Sequence, residues 1–170
     1  MASIIARTIR PATVRLSAKS ASSWRPAAPS MRSFSASVSA HVKKYTKDHE
    51  WIELSSDNKT GTIGISDYAA HALGDVVYVE LPTVPMEVAA GDAIGAVESV
   101  KSASDINSPI SCTITEVNTL LEDKPGSINK APEDDNVGGG WVAKVEVGEE
   151  GVKNLGELMD EGEYKAFTEE

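Results

Sequence analysis

Short apolar runs separated by turn residues dominate the chain from residue 41 onward, the pattern of a compact, mostly β domain. Trp51-Ile-Glu-Leu54 and Thr60 to Ile65 read as strands, and Ser55-Ser-Asp-Asn58 between them is a polar turn whose side chains suit hydrogen bonds to their own backbone. Ser66 stands where an N-cap belongs, Tyr68 to Leu73 follow as a short helix, and Gly74 supplies the stop. Val76 to Leu81 is β-branched and aromatic with apolar residues on both faces. It is therefore expected inside the core and not at a wet edge.

After the Pro82 to Pro85 turn, Glu87-Val-Ala89 and a Gly91-Asp92 turn lead into Ala93 to Val100 and a second arm from Ser102 to Ile106. The two arms predict a hairpin with Lys101 near its tip. In the next expected strand, Ile110 to Val117, the residues Ile110, Cys112 and Ile114 share one face, which makes the cysteine a small core residue. Thr119 to Asp123 suggests a helical turn and Pro125-Gly126 a turn. Lys130 to Gly140 holds acids, a proline and three consecutive glycines, and is expected to be a mobile loop with no packed core of its own. Trp141 to Val147 restores strand alternation. Leu155 to Met159 and Gly162 to Thr168 read as helices capping the sheet at its end.

Composition agrees with one packed domain, since 41% of residues are hydrophobic. Charge divides the chain in two. Residues 1 to 40 carry Arg7, Arg10, Arg15, Lys19, Arg25 and Arg32 and no acid, with abundant Ser and Ala. This is the composition of a mitochondrial transit peptide and not of a secretory signal. The expected organisation is thus a targeting segment over 1–40, a domain over 41–170, and a location in the mitochondrial matrix. With six of the 16 bases in that segment, the remainder sets 10 bases against 26 acids, a net −16. Such a domain repels phosphate backbones, so nucleic acid is a poor partner and basic protein surfaces are better ones. No apolar run is long enough to span a bilayer, and a single cysteine, Cys112, cannot form an intramolecular disulfide.

Candidate chemistry is sparse. His41, His49 and His71 with one cysteine make no recognisable metal-ligand spacing. His49 is expected as a packed or hydrogen-bonded residue beside Trp51, and no base accompanies Cys112 as a nucleophile. Catalytic residues and a metal site are not expected. A lone lysine on a hairpin is ordinarily a solvated charge, and only its surroundings single out Lys101.

Those surroundings are Glu98-Ser-Val-Lys101 followed by Ser-Ala-Ser-Asp105 and Asn107-Ser-Pro109. The string closely resembles the lipoylation site of the glycine cleavage system H protein family. Lys44-Tyr-Thr-Lys-Asp-His-Glu-Trp51, Gly64-Ile-Ser-Asp-Tyr-Ala69, Leu73 to Pro82, Glu116-Val-Asn118 and Gly140-Trp141 follow in the family's order, so the resemblance covers residues 43 to 168. It implies a flattened β-barrel, or barrel-sandwich hybrid of the lipoyl and biotinyl type, with C-terminal helices. It also implies a carrier that is not an enzyme, with lipoate amide-linked to Lys101. The implied partners are a glycine decarboxylase (P protein) that loads an aminomethyl group, an aminomethyltransferase (T protein) that removes the one-carbon unit, dihydrolipoamide dehydrogenase (L protein) that reoxidises the dithiol, and the lipoyl-attaching enzyme. A cleft shelters the loaded arm in this family, and the matching acids are Glu50 and Asp105, with Asp48 a third. An H-like protein relaying lipoyl groups to other enzymes is the alternative. A monomer is expected, because a shuttle must leave each enzyme quickly.

Neither the methionines that flank the lysine in biotinyl domains nor the Asp that precedes it in 2-oxo acid dehydrogenase lipoyl domains is present. Two departures from the family stand out. Cys112 occupies a usual glycine position, and the loop from Pro132 to Trp141 is about four residues longer than usual, a thermodynamically mild insertion.

Overall fold

The computed structural model describes residues 42 to 169. The expected targeting segment, 1–40, lies outside the described residues. Nine strands form two sheets among them. Strands β1 (Val42–Tyr45), β2 (Glu50–Leu54) and β3 (Thr60–Ile65) form an antiparallel meander and are followed by helix α1 (Asp67–Leu73). Next come β4 (Val76–Glu80), β5 (Met86–Val88), and the hairpin of β6 (Ala93–Ser99) with β7 (Ala103–Asn107). Strand β8 (Cys112–Val117) precedes two single-turn helices, α2 (Leu120–Asp123) and α3 (Ser127–Lys130). The chain continues through β9 (Ala143–Val147), α4 (Glu149–Asn154), a 3-10 turn at Leu155–Glu157 and α5 (Glu161–Glu169).

One sheet runs β1-β2-β3-β9-β8-β5 and the other β4-β6-β7. The mostly β expectation holds in its sandwich form, because neither sheet closes on itself as a barrel. Ile52, Leu54, Ile63, Val79, Val97, Ile106, Ile110, Ile114 and Val145 belong to one shared core and are almost fully removed from water. Roughly 1.5–3 kcal/mol of hydrophobic stabilisation attaches to each such side chain, which makes this core the main force holding the sheets face to face. A smaller cluster of Tyr45, Trp51, Trp141 and Tyr164 fastens α5 to the outside of the meander.

The hairpin, the α1 helix and the buried cysteine stand where the sequence places them. Ser66 accepts the amide of Ala69 at the α1 N-cap, and Gly74 ends the helix at φ +78. Three expectations need correction. Strand β4 is an edge strand, paired with β6 alone; a register shift between Val76 and Tyr78 leaves Val77 and Tyr78 about half exposed. An apolar run cannot tell a core strand from an edge strand, since that depends on whether a second neighbour arrives.

The 130–140 segment is not a free loop. Pro132 is buried and its carbonyl accepts the Trp51 indole N–H at 3.1 Å, Gly140 N donates to Ala131 O at 2.8 Å, and the buried Asn118 amide donates to Gly139 O and Trp141 O at 3.0 and 2.8 Å. Backbone bonding to distant side chains ties it down, which composition does not show. The helix expected over Leu155 to Met159 is only a 3-10 turn, with helix α4 before it. The hydrophobic pattern signals none of strand β1, helix α3 and helix α4, which are short and largely polar.

Candidate functional site

Lys101 occupies the tip of the β6–β7 hairpin in a turn that the chain fastens to itself. Ser99 N donates to Ser102 O at 2.7 Å, while the Ser99 hydroxyl accepts the amides of Lys101 and Ser102 at 3.1 and 3.0 Å. Val100 N reaches Asp75 O at 3.3 Å, which ties the tip to the segment after α1. A rigid turn fixes where the lysine Cα stands. The side chain is not held away from the surface: a Cβ on Gly74 would lie 2.7 Å from Lys101 Cε and 3.1 Å from Nζ. The stem therefore lies across the C-cap of α1, in space that exists because residue 74 has no side chain. Asn129 donates to Gly74 O at 2.7 Å and accepts Val76 N at 2.9 Å, so the bend beneath the lysine is itself braced.

Beside this tip opens a cleft of about 220 Å³ with three walls: Asp48 and His49 from the β1–β2 connection with Glu50 at the start of β2; Ile65, Ala69, Ala72 and Leu73 from β3 and α1; and Val97, Ser102, Ser104, Asp105 and Ile106 from the hairpin. The tertiary structure thus gathers Asp48 and Glu50 with the distant Asp105 around one slot whose lining is half apolar and half polar. Lys101 does not line it but is next in the chain to the lining residue Ser102, and its stem lies against Gly74, which follows the lining residue Leu73.

The three acids differ. Asp48 and Asp105 are exposed, whereas Glu50 is 2% exposed. One Glu50 carboxylate oxygen accepts the Thr46 hydroxyl and the other accepts Asn107 N at 3.0 Å. Glu50 is therefore a strut between the first wall and the end of β7 as well as a lining carboxylate. Thr46 and Asn107 carry no sequence signal for this role, because their value depends on a partner 57 residues away in the case of Asn107.

His49 is hydrogen-bonded, as expected, but to a partner on α5: its Nδ1 lies 2.8 Å from the Tyr164 hydroxyl, with Tyr68 packed on the ring at 4.6 Å. Cys112 sits in the core, 8% exposed, with Sγ 3.5 Å from Ser108 Oγ. Burial pushes its thiol pKa up, the Ser108 contact opposing. A thiol of that kind is a packing group and a poor nucleophile.

A slot with an apolar side, carboxylates along it and a lysine beside it suits a slender acyl chain that extends from the lysine and ends in a positive charge. The lining fits a lipoyl arm by that chemistry.

Comparison with known proteins points the same way. The glycine cleavage H-protein family model matches residues 43–170. The glycine cleavage system H protein of Thermotoga maritima is 46% identical over 126 residues, covering 74% of this chain and 95% of that one. Glycine cleavage system H protein 2, mitochondrial, of Arabidopsis thaliana is 45% identical over 139 residues, 82% and 83% of the two chains. Among solved structures, a glycine cleavage system H protein from Mycobacterium marinum aligns with a TM-score of 0.61 at 38% identity, over 74% of this chain and 95% of that one. With its sandwich fold, its hairpin lysine and a family match spanning everything from β1 to α5, this chain belongs to the glycine cleavage H-protein family.

Proposed function

We propose that this chain is a lipoyl carrier of glycine cleavage, modified at Lys101 Nζ. The observation that carries the reading is the position of Lys101 on a Ser99-fastened turn beside a cleft lined by Asp48, Glu50 and Asp105. When bound, the lipoyl dithiol supplies the sulfur that takes up and gives on an aminomethyl unit.

The protein's own residues present and protect. Ser99 fixes the tip so that an attaching enzyme meets Lys101 in one orientation. Ile65, Ala69, Leu73, Val97 and Ile106 exclude water from the slot, and the carboxylates of Asp48, Glu50 and Asp105 offer opposite charge to an amine resting there. A glycine decarboxylase, an aminomethyltransferase and dihydrolipoamide dehydrogenase are the partners this reading requires, and an acidic surface suits basic faces on them. The basic, acid-free residues 1–40 and the mitochondrial relative from Arabidopsis support import into the matrix with loss of that segment.

Intact-mass measurement of the protein from lipoylation-competent cells tests the reading. The expected result is one lipoyl increment on the wild type and none on Lys101→Arg, which keeps the charge but cannot form the amide. Full glycine decarboxylation by the Arg variant in a reconstituted mixture would sink the proposal.

A further inference from the structure

Tyr164 does not line the cleft, yet its hydroxyl reaches two of the cleft's walls at once. It lies 2.8 Å from His49 Nδ1 and 2.7 Å from Ser66 Oγ. His49 stands between Asp48 and Glu50 in the first wall, and Ser66 caps α1, which supplies Ala69, Ala72 and Leu73 to the second. The junction is largely withdrawn from water: Ser66 is 0% and Tyr164 5% exposed, with His49 half-buried, so a missing partner there is costly.

His49 also holds φ +75, a left-handed conformation that a residue with a Cβ keeps only where its surroundings enforce it. Ser66 N donating to His49 O at 2.8 Å and the Tyr164 hydroxyl on the ring are two of those enforcing contacts. Displacement of His49 would pass directly to Glu50, whose carboxylate braces Asn107 in the third wall.

The hydroxyl is not what docks the helix. The Tyr164 ring stacks on Tyr45 with centroids 4.3 Å apart and planes 5° from parallel, and the segment entering α5 is paired to β1 through Tyr45 N to Met159 O at 2.9 Å and Met159 N to Tyr45 O at 3.0 Å. Docking and bonding are therefore separable at this residue. We infer that the Tyr164 hydroxyl is a positioning group for the cleft, clasping the His49 wall to the α1 wall from the C-terminal helix. The inference deepens the carrier reading and rests on it for its purpose, though not for its geometry.

Tyr164→Phe removes the clasp and keeps the stack, and Tyr45→Phe is its control, since the Tyr45 hydroxyl bonds Glu133 at 2.7 Å and reaches α1 only at one remove, through Glu133 accepting Asp67 N at 3.1 Å. The first readout is amide hydrogen exchange of the unmodified protein at Ser66 and Asn107, whose N–H groups bond His49 O and the Glu50 carboxylate. Tyr164→Phe should speed each by roughly three- to tenfold, the factor belonging to one of the two hydrogen bonds it loses, while Tyr45→Phe, which keeps both of those bonds, leaves them unchanged. In lipoylated protein loaded from glycine, the same variant should release formaldehyde to water faster by a similar factor, again with the control unaffected. Wild-type exchange rates in Tyr164→Phe, or equal acceleration in both variants, overturn the inference. A wild-type protein that carries no lipoyl increment removes the carrier reading instead and leaves the exchange comparison as the test of the clasp.

Discussion

Glu50 shows how one side chain can line a cleft and brace it at the same time. Its two oxygens satisfy the Thr46 hydroxyl and Asn107 N, so Glu50→Ala leaves two donors near the core without acceptors. Such a loss costs about 1–3 kcal/mol, to be read as a lowered urea midpoint; Glu50→Gln, which retains one oxygen, should lie between. Gly74 is the second decisive residue. At φ +78, with the Lys101 stem where its Cβ would go, Gly74→Ala combines backbone strain with a clash at the site. A destabilisation of about 1–2 kcal/mol is expected, together with slower acylation of Lys101 in a timed mass assay. Cys112 offers a third check: buried and with its thiol pKa raised, it should react with a thiol reagent in the folded protein far more slowly than in urea.

Among the elements, α5 has the plainest signature. Tyr45 and Tyr164 form its contact with β1, and burial first of all raises both phenol pKa values above their ordinary 10.0, with the Glu133 carboxylate adding to the effect at Tyr45. Both groups are neutral in folded and unfolded chains below pH 10, so their contribution is complete there. Above that value the unfolded chain loses its protons first, and stability falls as pH rises toward the folded pKa values. Urea titrations from pH 8 upward should show a steepening loss that Tyr45→Phe reduces. The loop before β9 makes the complementary point at its glycines. A Cβ at Gly139 would lie 2.0 Å from Asp134 O, so Gly139→Ala should cost more than about 2 kcal/mol, although the glycine run alone reads as flexibility.

At the scale of the whole molecule, the net −16 of residues 41–170 predicts association governed by long-range attraction. For the partners proposed above, the on-rate should fall steeply between low and physiological salt while the off-rate changes little, which stopped-flow mixing at several ionic strengths would measure. The two sheets share one core, so the hairpin and the three cleft walls should unfold in a single transition and not as separate parts.

The sequence by itself determined most of the strands, the N-cap and stop of α1, and the hairpin that carries Lys101. These are local signals: side-chain alternation, capping chemistry and a contiguous motif survive without knowledge of what packs where. Only the tertiary structure decided that β4 lies at an edge, that the glycine-rich loop is pinned through Trp51 and Asn118, and that Tyr164 grips His49 from 115 residues away. Each of those depends on which distant group arrives at a given surface, and a residue's own side chain does not encode its partner.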